Sequence, residues 1–134
     1  VYQKPISREV HSLNGVLPKV DIVKCYSGQD GRLVDLLVES GSEGIILEAA
    51  GRGQVSPHMV DAIERAVKKG VTVVLTTSAE EGNAYPSYGY PGSAHDLLLK
   101  GVLLGSDYDS KKARIKLAVM LSEKKEIDIN SFTY

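Results

Sequence analysis

The chain of 134 residues has the length of one domain, and a fold of this size buries roughly two thirds of the surface that the unfolded chain exposes. Its 16 Lys and Arg residues and 17 Asp and Glu residues give a formal net charge of −1, so neither nucleic acid nor an anionic membrane is an expected partner. The single cysteine, Cys25, excludes an internal disulfide framework and favours a reducing compartment, so we expect a cytoplasmic location.

Strand-like and helix-like segments alternate along the chain from Leu17 onward. The predicted elements are a strand over 20–26, a helix over 32–40, a strand over 44–50, a helix from Ser56 to Gly70, a strand over 71–76, a short helix over 93–98, a short strand over 101–105, a helix from Asp109 or Ser110 to about Glu123, and a turn or two over 127–132. This order predicts an α/β fold, a three-layer Rossmann-like domain with a four-stranded parallel sheet.

Two segments fall outside this pattern. Residues 1–16 contain turn-forming residues without sustained periodicity, and we interpret them as an interdomain linker or arm that precedes a domain over 17–134. Residues 77–92 are rich in Gly, Pro and Tyr, and long loops of this kind are often functional.

In the first helix, the apolar stripe is expected to comprise Leu33, Leu36, Leu37 and Val38.

Ligands of open parallel sheets bind at the carboxyl ends of the strands, which here precede the loops 27–31, 51–55 and 77–92. The spacing Gly51-x-Gly53-x-x-Ser56 imitates a dinucleotide-binding turn, but the third glycine and the acidic residue after the next strand are missing. The alternative is a tight strand-to-helix turn with a solvated Arg52. The residues therefore predict no nicotinamide cofactor.

Gln54 directly precedes the predicted helix that Ser56 caps, with Pro57 at its first position. A primary amide there can bind the ammonium or carboxylate of a zwitterion without adding charge, although a solvated amide is equally compatible with the sequence.

The sequence shows no arrangement typical of a catalytic centre. His11, His58 and His95 lie apart, without metal-ligand spacing, and Cys25 has no activating partner nearby. The hydroxyls at the end of the third strand are interpreted as residues that favour strand structure. We expect binding residues, no catalytic residue in this chain, no metal and no cofactor.

Several segments, in their order and spacing, resemble the C-terminal domain of bacterial-type L-asparaginases. They are Leu17-Pro18-Lys19-Val20-Asp21-Ile22-Val23, Gly44-Ile45-Ile46-Leu47, Gly51-Arg52-Gly53-Gln54-Val55-Ser56, Ala66-x-x-x-Gly70-Val71-x-Val73-Val74, Lys112-Ala113-Arg114-Ile115-Lys116-Leu117 and the ending Phe132-x-Tyr134. The resemblance covers nearly the whole chain from Leu17.

The resemblance implies a parent enzyme that hydrolyses L-asparagine to L-aspartate and ammonia. In that family a larger N-terminal domain supplies two threonines, an Asp, a Lys and a Tyr for an acyl-enzyme mechanism, and none of those motifs is in this chain. The C-terminal domain supports a homodimer or homotetramer and completes the neighbouring subunit's substrate site. The implied substrate-binding residues are Gln54, Arg52 and Gly53, and the fragment alone is expected to be inactive.

The chain departs from the family pattern at two places. Gln54 occupies a position where the family commonly has Asn, and its extra methylene would displace the amide unless the backbone compensates. A substrate-contacting Glu of some members has no counterpart in the segment 89–96. Two alternatives remain open: the related type of amidotransferase that releases ammonia for use on aminoacyl-tRNA, and a non-catalytic small-molecule binding module.

Overall fold

The computed structural model describes residues 17–49, 53–77, 91–105, 108–128 and 131–132. Its elements are β1 (Val20–Lys24), α1 (Arg32–Glu39), β2 (Gly44–Ala49), a 3₁₀ turn (Pro57–Met59), α2 (Val60–Lys68), β3 (Thr72–Thr77), α3 (Ala94–Leu99), β4 (Leu103–Leu104) and α4 (Ser110–Ser122). The four strands form one parallel sheet in the order β1-β2-β3-β4, with helices on both faces, so the predicted α/β class is confirmed. The predicted linker over 1–16 lies outside the described residues, and the domain boundary stays a prediction.

The two faces of the sheet follow from the alternation of side chains along each strand. In the register of the parallel strands, Val23 lies beside Leu47 and Leu47 beside Leu75, and these side chains share the face that α1, α2 and α3 cover. Ile46 and Val74 point to the opposite face, where α4 packs. Since both faces are covered, β2 is buried at every position except the half-buried Glu48, as its mostly apolar residues predict.

The stripe predicted for α1 is displaced by one residue. Leu33 and Leu36 are 44% and 54% exposed, whereas Val34 is 1% exposed and packs into the core with Leu37 and Val38. The predicted set that begins at Leu33 and the observed set that begins at Val34 both have helical spacing, so the sequence alone could not choose between them. The packing of α1 against α2, which brings Gly31 onto Ala62, selects the second.

The helix starts agree with the sequence, with one change. Ser56 caps the segment after β2, since its Oγ accepts a hydrogen bond from the His58 N–H at 3.3 Å, but the first turn is 3₁₀ and α2 begins only at Val60. Asp109, and not Ser110, is the N-cap of α4, its carboxylate accepting from the Lys112 N–H at 2.8 Å.

None of the helices in the described ranges combines the length and the apolar character needed to cross a membrane.

Candidate functional site

A cleft of about 250 Å³ opens where the turns after β1 and β2 meet, at the carboxyl edge of the sheet. Residues 25–28 form one wall, residues 54–57 form the other, and Pro91 closes the rim. This is where parallel α/β sheets commonly bind ligands. The described parts of the three predicted loops therefore meet at this cleft.

The β1 wall is fixed by Gln29, whose side chain is 4% exposed. The side-chain Oε1 of Gln29 accepts a hydrogen bond from the Tyr26 backbone N–H at 3.0 Å, and the backbone N–H of Gln29 donates to the Tyr26 carbonyl at 3.3 Å. Gly28, with φ +79°, completes this turn. The Tyr26 side chain is left 64% exposed beside the cleft, although a large aromatic side chain gains by burial.

Of the predicted binding residues, Gln54 lies in the β2 wall, and Gly53 directly precedes it. Gly53 is buried with φ +103°, a backbone conformation that residues other than glycine rarely adopt. Gln54 follows with an exposed side chain at the cleft, and Val55 next to it is buried in the core. Arg52, the third predicted binding residue, lies outside the described residues.

The segment before α3 braces this wall from the side. The Val55 N–H donates to the Gly92 carbonyl at 2.9 Å, and Gly92 has φ +88°. A Cβ atom on Gly92 would lie 2.3 Å from the Val55 carbonyl oxygen, so only glycine allows this approach. The returning end of the 77–92 loop is thereby joined to the turn that carries Gln54.

Cys25 lines the cleft but is suited to packing, not to reaction. Burial and, to a smaller extent, the charge of Glu48 raise the pKa of its thiol to about 12. Its Sγ lies 3.6 Å from the Val23 carbonyl, to which it donates. A neutral thiol at physiological pH is a poor nucleophile, and the Cys25 side chain packs in the core.

The chemistry that the cleft offers is recognition. Among the described residues that line it, the polar side chains are those of Tyr26, Ser27, Gln54 and Ser56 together with the Cys25 thiol, and no carboxylate, histidine or lysine is present. These groups can hydrogen-bond a polar ligand, but they include no general base to activate a hydroxyl. The described residues also contain no cluster of metal-binding side chains.

The other residues considered from the sequence are Thr76 and the three histidines. Thr76 is fully buried, and its Oγ1 donates to the Leu47 carbonyl at 3.1 Å, which agrees with a structural role. His58 and His95 are exposed. His11 lies outside the described residues, as does most of the 77–92 loop.

Sequence reasoning missed Tyr26 and Pro91 as lining residues and overlooked Asp96, which holds Gly92. The spacing Ser93-x-x-Asp96 is a helix-capping pattern and was the available signal for Asp96. No local pattern distinguishes Tyr26, because its exposure depends on the two turns that meet around it.

Comparison with known proteins gives a consistent result. The family model described as glutaminase/asparaginase C-terminal domain matches residues 19–130. An L-asparaginase of Bacillus licheniformis is 56% identical over 134 residues, which are 100% of this chain and 42% of that protein. A glutamyl-tRNA(Gln) amidotransferase subunit of Methanopyrus kandleri is 33% identical over 126 residues, 94% of this chain and 27% of that protein.

Among solved structures, that of a probable cytoplasmic L-asparaginase from Campylobacter jejuni superposes with a TM-score of 0.70 at 28% identity, covering 81% of this chain and 33% of that one. The chain thus spans less than half the length of these relatives. The parallel sheet with its cleft and the match over residues 19–130 lead to one conclusion: the chain belongs to the glutaminase/asparaginase C-terminal domain family.

Proposed function

We propose that this chain is the C-terminal domain of an L-asparaginase, which hydrolyses L-asparagine to L-aspartate and ammonia. The observation that carries the proposal is the 56% identity, over the full length of this chain, to the L-asparaginase of Bacillus licheniformis. In this proposal the catalytic groups belong to the protein's own N-terminal domain, and the present chain is inactive by itself.

The role proposed for this domain is to complete the substrate site of a neighbouring subunit in a homodimer or homotetramer. The cleft supports it, since its described lining offers hydrogen-bonding side chains without a general base. Gln54 is the residue assigned to the substrate's amino end: its amide accepts from an ammonium through oxygen and donates to a carboxylate through nitrogen. Gly53 and Arg52 are the other two residues proposed to bind the substrate.

The way in which the β2 wall is held in place supports the choice of Gln54 as the residue that binds the substrate. Val55 is anchored in the core and to Gly92, so the residue just before it is held at a defined place while its side chain stays exposed. A fixed backbone beneath an exposed polar side chain is what precise recognition requires.

The second candidate is an amidotransferase component of the asparaginase-like type. It is favoured by the 33% identity to the Methanopyrus kandleri amidotransferase, but that identity is well below the 56% found with the L-asparaginase. A non-catalytic small-molecule binding module remains the alternative from another functional class. For the enzyme we propose a cytoplasmic location, in line with the Campylobacter jejuni protein, a probable cytoplasmic L-asparaginase.

The experiment is to measure ammonia release from L-asparagine by this 134-residue chain and by the protein that joins it to its N-terminal domain. Gln54→Ala is introduced in the joined protein, with Lys111→Ala as a control at an exposed position on α4. We expect no activity from the chain alone, and a KM about tenfold higher in Gln54→Ala, the size of one lost hydrogen bond.

Activity of the chain alone would refute the assignment of catalysis to the N-terminal domain. Equal KM values for Gln54→Ala and Lys111→Ala would refute the role of Gln54. Transfer of the released ammonia to an aminoacyl-tRNA would establish the amidotransferase instead.

A further inference from the structure

The turn before α3 is fixed by Asp96 through both of its carboxylate oxygens. Oδ2 accepts a hydrogen bond from the Gly92 N–H at 3.1 Å, and Oδ1 forms an ion pair with the Lys100 Nζ at 2.7 Å. The side chains of Asp96 and Lys100 are only 16% and 27% exposed. Because each oxygen has its own partner, the carboxylate has little freedom to rotate.

The bonds around Ser93 and Asp96 also form a helix cap. Ser93 Oγ accepts from the Asp96 N–H at 3.1 Å, and the Asp96 carboxylate reaches back to the residue before the cap. If this were the whole role of Asp96, its loss would affect only the short helix α3. The next contact extends beyond that helix.

Gly92 transmits the position of Asp96 to the turn after β2. Its N–H is held by Asp96, while its carbonyl accepts the Val55 N–H at 2.9 Å. The two backbones are so close that a Cβ on Gly92 would collide with the Val55 carbonyl oxygen. A shift of Gly92 therefore has to move Val55 or break this hydrogen bond.

Val55 is the residue next to Gln54, and on the other side of Gln54 lies Gly53, which offers little conformational restraint of its own. The restraint on Val55 thus contributes to the position of the Gln54 amide. We infer that Asp96 is a positioning residue that, through Gly92 and Val55, sets the placement of Gln54 in the substrate site. This inference rests on the proposed function of Gln54.

The test uses the protein that contains this domain and its N-terminal domain, in a double-mutant cycle between Asp96→Ala and Gln54→Ala. We expect Asp96→Ala to raise the KM for L-asparagine about fivefold when Gln54 is present and by less than about twofold in the Gln54→Ala background. Asp96→Asn keeps an oxygen that accepts the Gly92 N–H, so its KM should stay near that of the unaltered protein.

The control is Asp35→Asn, which weakens another carboxylate ion pair, between Asp35 and Arg65 at 2.8 Å at the surface between α1 and α2. It should leave KM unchanged in both backgrounds. Hydrogen exchange at the Val55 amide is measured in parallel, and it should be accelerated by Asp96→Ala and not by Asp35→Asn. If Asp96→Ala does not fold, Lys100→Gln removes only the second anchor, and a smaller acceleration at Val55 is expected.

The outcomes separate the two proposals. An Asp96→Ala effect on KM that is equal with and without Gln54 would overturn the inference and leave the proposed function standing. If Gln54→Ala itself changes nothing, the role of Gln54 fails, and unchanged exchange at Val55 would then refute the link from Asp96 as well.

Discussion

Cys25 shows how the surroundings decide the chemistry of a single residue. It lies at the end of β1 and lines the cleft, which is a common place for a reactive group. Its side chain is nevertheless only 8% exposed, and the neighbouring Glu48 carboxylate adds to the cost of forming a thiolate. The thiol is therefore protonated at any physiological pH.

This environment predicts slow alkylation of Cys25 by iodoacetamide in the folded protein. With the pKa raised from 9.0 to about 12, the thiolate fraction at pH 8 is far smaller than in the unfolded chain. We expect a rate at least about a hundredfold lower than in urea at the same pH, increasing as the pH rises toward 12. Glu48→Gln should raise the rate modestly. If the folded protein were labelled as fast as the unfolded chain, the raised pKa of the Cys25 thiol would be contradicted.

At the scale of elements, the contact between α1 and α2 controls which face of α1 is buried. Gly31, just before α1, lies so close to α2 that an added Cβ would be 2.4 Å from the Ala62 Cβ. Its φ of −83° is ordinary, so glycine is needed here for space and not for backbone conformation. An ion pair between Arg65 and Asp35 at 2.8 Å joins the same helices at the surface, where such pairs contribute little.

Gly31→Ala should accordingly destabilise the fold by overpacking, with about 1–3 kcal/mol lost from the free energy of unfolding. The measurement is urea denaturation followed by circular dichroism. Ala62→Gly in the Gly31→Ala protein should restore part of the loss, although a glycine within α2 costs about 1 kcal/mol of its own. No recovery in the double variant would exclude the steric explanation.

At the scale of the whole molecule, the second face of the sheet depends on the C-terminal segment as well as on α4. Phe132 is 1% exposed and packs with Ile46, Val74 and Leu117 in the core of that face. Its ring meets the Tyr108 ring edge to face, with centroids 5.8 Å apart, and the Lys116 Nζ lies 5.5 Å from its centroid. The end of the chain thus contributes to the core.

Phe132→Ala should cost about 3–5 kcal/mol of the free energy of unfolding, because it removes a buried ring and leaves a cavity. Since small domains have only about 5–15 kcal/mol in total, this one change would bring the fold close to its limit. Ile115→Ala, at a position 58% exposed on α4, is the control and should change little. A loss below about 1 kcal/mol for Phe132→Ala, measured by chemical denaturation, would show that the segment does not belong to the core.

The sequence by itself determined the element order, the parallel α/β class and the edge of the sheet where a site would lie. These follow from local physics: the alternation of apolar residues, the cap at Ser56, and the glycines that end helices act over a few neighbouring residues. It also identified Gln54 as a binding candidate, on the strength of its place before a helix and of a family resemblance.

Only the tertiary structure decided which side chains of those elements face each other. Leu33 and Leu36 satisfy helical spacing as well as Val34 does, and the approach of α2 through Gly31 determined that Val34 is buried. The link from Asp96 to Val55 joins residues 41 positions apart in the chain, through a hydrogen bond whose partner is a backbone carbonyl. A backbone carbonyl carries no signal in the sequence, so such contacts are determined by packing and become visible only in the folded chain.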